Sequence, residues 1–437
     1  MGAMQSPIRY ARSSLLILAL AGISSCNLET TSPSDLLTAT NLVIEEQIGT
    51  AVAKTQEVVA AETPETDSNS PDIAPLQPTP PLPNSVGPYE FPPNVNPLTG
   101  QIVDPAALDR RPVAVKINNY PRSNRPQWGL SQADIVYEYY HNNDLPRFHA
   151  IFYSTDVERA GPIRSGRPFD DFLLRMYGSH FAFGSADQRI LNLFNAGPYV
   201  DRLVYLLAAS NCPAQPMCRY DPTGGYYLVA DTQAIRDYNL QTGGDDKRPD
   251  LAGMWFSETL PDGAEALDKL FVRWSLGAYL YWDYDPETSR YVRYQDTQED
   301  IGGRGEAYAA LTDGLNGAQI VAENVVVLVT PHFHRVYIPA TEIDPRVEIV
   351  DMDFVGEGAA YALRDGRVFE VRWVRTVNSG PLTLLFPDGS LYPMKPGRTW
   401  YEVVTPETAM RSADDWLRFD FRLEFPDKEL RDWQGEK

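Results

Sequence analysis

Between Gly161 and Asp171 the chain reads GPIRSGRPFDD. Arg164 and Arg167 stand three residues apart, between a Gly-Pro turn and the carboxylate pair Asp170 and Asp171. Arg147 precedes them, and Asp134, Glu138 and Asp170 are the candidate carboxylate partners. A guanidinium is a planar fork of donors that matches carboxylate or phosphate oxygens two at a time. Two such forks close together repel unless an anion or carboxylates compensate them. Three arrangements satisfy the sequence. The arginines bind acids of their own chain and brace a loop to a sheet; or Arg147, Arg164 and Arg167 line a site for an external anion; or they form a solvated face. A helix starting near Pro168 favours the anion site, because proline suits a first turn and a helix N-terminus adds backbone donors. Asp170 and Asp171 would then lie in that first turn, where their charge suits the helix dipole.

The elements that must hold these groups follow from periodicity. RPVAVKINN alternates, with Val113, Val115 and Ile117 on one face and Ala114, Lys116 and Asn118 on the other. ADIVYEYY and RFHAIFYST read as two further strands, and Asp134 and Glu138, two and four residues from their neighbours on that face, share it with Val136. FDDFLLRMYGSHFAF has helical spacing with Gly178 as its stop, and ADQRILNLFNAG and DTQAIRDYNL read as helices. From about residue 251 the chain turns to short aromatic and β-branched runs, such as AYLYWDYD, NVVVLVTP and RVFEVRWVR, separated by turn signals such as RDGR and PDGS. The expected fold class is α+β. A mixed α/β domain (96–250) precedes a mainly antiparallel β domain (251–408), folded as a sandwich or half-barrel. The polar, glycine-bearing QTGGDDKRPDLAG lies at the boundary, and 409–437 is a charged and aromatic tail.

Before residue 96 the chain has a different character. Arg9 and Arg12 precede the apolar run LLILALAGI, which is far shorter than a membrane span, and small residues lead to Cys26 in ISSC. This reads as a lipoprotein signal peptide (1–25) with Cys26 as the lipid-bearing first residue of the mature protein; the alternative is a plain secretory signal with an incidental cysteine. Residues 26–95 are rich in proline, serine, threonine and acid and read as a disordered tether. With Cys26 used for lipid, Cys212 and Cys218 remain, in CPAQPMC. They form a disulfide or stay free thiols; a metal site lacks a third ligand nearby. The formal net charge of -21 argues against nucleic acid as a partner, so an anion site would be a local exception.

Other chemistries find little. HFH places His332 and His334 on one strand face without a nearby carboxylate, and reads as strand-end surface histidines rather than a metal fragment. His149, inside a strand, reads as a packed imidazole. Ser165 and Ser185 have no identifiable His–Asp partners, and no nucleophile elbow, zincin or Walker pattern occurs. No cofactor and no metal is expected.

Several longer stretches resemble the YerB-like family of bacterial lipoproteins. They are NPLTG, RPVAVKINNYPRSNRPQWGLSQADIVYE, RFHAIFYS and GPIRSGRPFD, then NVVVLVTPH, GAAYALRDGRVFEVRWVR and FPDGSLYPMKPGRTWYEVV. The resemblance runs from about Asn96 to Val404. It implies an exported lipoprotein with an N-terminal and a C-terminal domain of unknown function in tandem, and no assigned chemistry. The reading is a lipoprotein held to the membrane through Cys26 on its extracytoplasmic face. It would be a binding or scaffold protein of the cell envelope, whose partner is an anionic cell-wall ligand or an envelope protein. The alternative is an envelope transferase or hydrolase acting on a phosphorylated or carboxylated wall precursor, with Asp134, Glu138 or Asp170 as base. No acid/base pair is demonstrable from sequence, so catalysis stays open.

Overall fold

The computed structural model describes residues 84–205, 209–376 and 380–436. Cys26, the leader before it and the tether up to residue 83 lie outside them. Residues 84–95, at the end of the stretch read as tether, include Ser85–Val86, which pairs antiparallel with Phe256–Ser257.

The chain is mostly strand with few helices. The elements that position the site are, in chain order, β1 (Val113–Ile117), β2 (Ile135–Asn142), β3 (Leu145–Phe152), α1 (Phe169–Tyr177), β4 (His180–Ala182), α2 (Gln188–Asn195) and α3 (Thr232–Gln241). They continue with β5 (Lys269–Ser275), β6 (Ala278–Asp285), β7 (Arg290–Asp296), β8 (Asn324–Val329), β9 (Gly356–Arg364), β10 (Arg367–Arg375), β11 (Thr399–Val404) and β12 (Trp416–Asp420). All three expected helices form. Gly178 ends α1 at φ 56, its N–H bonded to the Leu174 carbonyl, a left-handed turn that glycine adopts without Cβ strain.

The regions expected on either side of residue 250 share one sheet. An eleven-stranded sheet contains the run β10-β9-β8-β11-β2-β3-β1-β4, in which four strands from after residue 250 lie side by side and join four from before it where β11 meets β2. Strand β11 lies between β8 and β2 and is parallel to both. All six of its residues are buried, which is why TWYEVV carries no period-2 signal: a strand covered on both faces need not alternate. A second, seven-stranded sheet built around β7-β6-β5-β12 includes Ala409–Ala413 and Trp416–Asp420, so this part of the tail packs back as a hairpin. Val136, Phe148 and Trp400 of the large sheet share a core with Leu270, Trp282 and Tyr291 of the second. On the other face, Tyr137, Tyr139 and Tyr401 pack with Phe169, Leu173 and Phe194 of α1 and α2.

Candidate functional site

Strand β2 alternates, and its alternate residues enter two different environments. On the helix-covered face, Tyr139 stands opposite Arg147, and His149 stands opposite both Tyr137 and Lys116. Helix α1 begins over this face. Asp170, in its first turn, accepts the Arg167 backbone N–H at Oδ2 (2.7 Å). Its Oδ1 meets His149 Nδ1 (2.8 Å), Lys116 Nζ (3.3 Å) and the Tyr139 hydroxyl. Lys116 also donates to the Tyr139 hydroxyl. Lys116, His149 and Asp170 are fully buried. Burial pushes Asp170 up, but Lys116 and the His149 and Tyr139 hydrogen bonds override it and hold the carboxyl well below the usual range. Burial pulls Lys116 down to about 7, against Asp170 and with Arg147 and Arg167 adding to the fall.

The arginine loop is pinned at both ends. Arg164 N–H donates to the Lys116 carbonyl of β1, Gly166 N–H to Ser185, and Gly184 N–H back to the Arg164 carbonyl. Gly166 is required by closeness: a Cβ there would stand 2.6 Å from the Phe194 ring. Arg147 Nη1 donates to the Ser165 carbonyl (3.1 Å), and Arg167 Nη1 to the Gly166 carbonyl (2.8 Å). Arg164 reaches only the Ile163 carbonyl (3.4 Å) and lies toward Arg219. Among the described residues, none of the three guanidinium groups makes an ion pair with a carboxylate, and Arg147 Nε is buried with no partner. Burial lowers all three, and Arg147 is pulled down further by Arg167 and Arg164. His141 is buried in the same field: burial, then Arg147, Arg167 and Lys116, push its ring well below the usual range, so it is neutral.

Asp134 and Glu138 are both engaged away from the arginine loop. Asp134 is consumed by Asn96 Nδ2 (2.8 Å), Tyr153 N–H (2.7 Å) and Ser154 Oγ (2.5 Å). Glu138 stands beside Glu402 of β11, and Arg293 of β7 bridges them at 2.6 and 3.1 Å. Trp282 donates to Glu402 (3.0 Å), and the guanidinium lies 4.5 Å from the Trp400 ring. All three charged side chains are fully buried. Burial raises both carboxyls, and their mutual contact raises Glu402 further, against the pull of Arg293. Of the expected carboxylate partners, only Asp170 reaches the arginine loop.

Lys116, Tyr139, His141 and His149 were not named with the arginines in sequence. Their signal was alternation: each occupies the inward face of a strand whose neighbours are apolar or aromatic. The disulfide joins Cys212 and Cys218 and packs with Trp128 and Val229. His334 is not a surface residue; it is buried with Nε2 3.1 Å from Glu348, while His332 Nδ1 lies 2.8 Å from the Thr330 carbonyl. Among the described residues no group of three or more His, Cys, Asp or Glu side chains is placed to hold a metal. A groove of about 1010 Å³ lies elsewhere, lined by Glu265, Glu370, Phe386 and Leu417 among others and by no basic residue.

Two family models match the chain. "Protein of unknown function (DUF3048) N-terminal domain" matches residues 98–237, and the corresponding C-terminal domain matches 270–401. Together they take in more than half of the sequence. The chain belongs to the DUF3048 family. "Putative lipoprotein YerB" of Bacillus subtilis (strain 168) is 27% identical over 322 residues, 70% of this chain and 85% of that protein. The crystal structure of YerB protein from Bacillus subtilis superposes with a TM-score of 0.57 at 25% identity, covering 71% of this chain and 96% of that one. The DUF3048 N-terminal match contains Lys116, Tyr139, Arg147, Arg167 and Asp170; the C-terminal match contains Arg293 and Tyr401. In this chain the tandem DUF3048 regions therefore build one sheet together.

Proposed function

We propose that this protein is a lipid-anchored, extracytoplasmic envelope protein that binds an anionic cell-wall ligand at Arg147 and Arg167, with Arg164 at the margin. One observation carries the reading: Arg147, Arg167 and Lys116 surround a single carboxylate, Asp170, whose oxygens are already engaged. Excess positive charge in a half-buried place is costly, and an anion removes the cost while gaining charge-assisted hydrogen bonds. The test is calorimetric titration of the full chain with inorganic phosphate. Losing one fork forfeits about 1.5–3 kcal/mol, so Arg147→Ala or Arg167→Ala weakens binding roughly tenfold or more. The melting temperature without ligand stays level, because no carboxylate loses its partner. A melting temperature that falls by many degrees, with no phosphate bound by the parent protein, makes the arginines structural instead.

A transferase or hydrolase reading is favoured by one feature. Asp170 engages His149 through Nδ1, leaving Nε2 without a partner, an orientation that suits a general base. The ring is fully enclosed and stacked on Phe181, so binding without catalysis is the better-supported function.

The anchor rests on ISSC and on homology to a lipoprotein. Cys26→Ser is expected to move the exported protein to the soluble fraction or leave it unprocessed. Normal processing with retention in the membrane would refute a lipid at Cys26.

A further inference from the structure

His141 lies where the pairing of β2 with β3 slips by one residue, between Tyr140 and Asn142. It is 5% exposed, and its Nδ1 is buried with no hydrogen-bond partner. The charged groups bearing on it are Arg147 and Arg167 at the loop side and Lys116 from β1, all cations. Nδ1 is the ring nitrogen without a partner, so the hydrogen of the neutral ring is assigned to Nε2. Nδ1 is then a bare lone pair. Guanidinium groups only donate, and Lys116 Nζ is engaged with Asp170 and the Tyr139 hydroxyl. The Asp170 oxygens are taken by Lys116, Tyr139, His149 and the Arg167 N–H. Two imidazole nitrogens of the cluster are thus left as acceptors, His149 Nε2 on a fully enclosed ring stacked on Phe181 and His141 Nδ1, and His141 is the one whose charged neighbours are all cations.

A site made of donors plus one acceptor distinguishes oxyanions that differ by a proton. Sulfate and carboxylates arrive at neutral pH with oxygens that only accept. An inorganic phosphate dianion has the same charge and shape as sulfate but carries a P–OH that donates. Against sulfate, the Nδ1 lone pair faces an oxygen lone pair, unless the ring takes up a proton among three cations.

We propose that His141 makes the arginine cluster selective for phosphoryl groups that bring a P–OH, over sulfate and carboxylates. This rests on the anion-binding reading and names its ligand class. The experiment is titration of the full chain with inorganic phosphate and with sulfate, at pH 7.5 and matched ionic strength. Phosphate is expected to bind at least tenfold more tightly. In His141→Phe, which keeps an aromatic ring but no acceptor, phosphate falls to the level of sulfate while sulfate is unchanged; in Arg147→Ala both anions weaken alike. Equal affinity of the parent protein for the two anions overturns the selectivity and leaves the anion site standing. Binding of neither overturns both. Should His141→Phe fail to fold, the comparison of the two anions on the parent protein decides alone.

Discussion

Glu138 and Tyr139 are neighbours on β2 and face opposite ways. On the Glu138 side, one guanidinium, Arg293, serves two carboxylates, and the whole group is sealed between two sheets. On the Tyr139 side, Arg147, Arg167 and Lys116 share one carboxylate, Asp170, and the two guanidinium groups are only half-buried. The first centre has an acid to spare and settles its charge by retaining a proton. The second has cations to spare and has nothing of its own left to settle them with. A buried arginine is therefore not in itself a sign of function. In the proposed reading, what separates the brace from the anion site is the count of carboxylates per guanidinium.

The largest effect that can break this comparison is at Arg293. Removing one member of a buried ionic group costs about 3–5 kcal/mol, because its partners are left buried and uncompensated. Arg293→Met should lower the melting temperature by on the order of 10 °C, and adding Glu138→Gln and Glu402→Gln should restore much of it. A drop no larger than that of Arg147→Ala would show that the two centres do not differ.

The disulfide lies on the Arg164 side and sharpens the comparison at a smaller scale. It closes a short loop, worth roughly 2 kcal/mol in chain entropy, and Pro213 and Pro216 restrict the reduced chain as well. Cys212→Ser with Cys218→Ser should cost a few degrees of melting temperature and leave phosphate affinity unchanged, since Arg147 and Arg167 are positioned from β3 and α1. Loss of affinity would bring the hairpin into the site.

The pH dependence differs in sign between the faces. Lys116 is lowered from its usual range to about 7 in the folded protein. The unfolded chain therefore holds more protons between about 7 and 10.5, and stability rises with pH across that window, by at most about 1.4 kcal/mol per unit. Glu138 and Glu402 are raised, so the folded protein holds the extra proton, and their contribution to stability declines as pH rises above the ordinary carboxylate range. Denaturant melts from about pH 4.5, the ordinary carboxylate range, up to about 9 on the parent, Lys116→Met and Glu402→Gln separate the two. The first variant removes the rise, the second removes the decline, and no change in either profile would contradict both assignments.

The local elements were legible in sequence because each satisfies a short-range rule. Helix α1 announces itself by Pro168, its apolar spacing and Gly178; β1 to β3 by alternation; the hairpin β9–β10 by Asp365-Gly366. The gathering of Arg147, Arg167 and Asp170 was legible as well, since all three sit near one loop in sequence. Register was not. Whether Glu138 faces the arginine loop or Arg293 depends on which side of β2 receives the second sheet, and that is decided by pairing with residues far along the chain. Strand β11 was missed for the same reason, being buried on both faces and partnered only by remote strands. Lys116 was placed correctly opposite Val115 in the strand, yet its meaning as a buried cation needed Asp170 above it.

That position of β11 also bears on the order in which the protein can be made. Residues 399–404 follow β2 by more than 250 residues in the chain, yet they occupy the centre of the large sheet. Until they do, β2 and β8 have one edge each with nothing to pair to, more than 180 residues apart in the chain. A central pairing this non-local makes folding slow, because a long loop must close before the pairing can form. Until β11 has seated, those two edges are open to pairing with another chain.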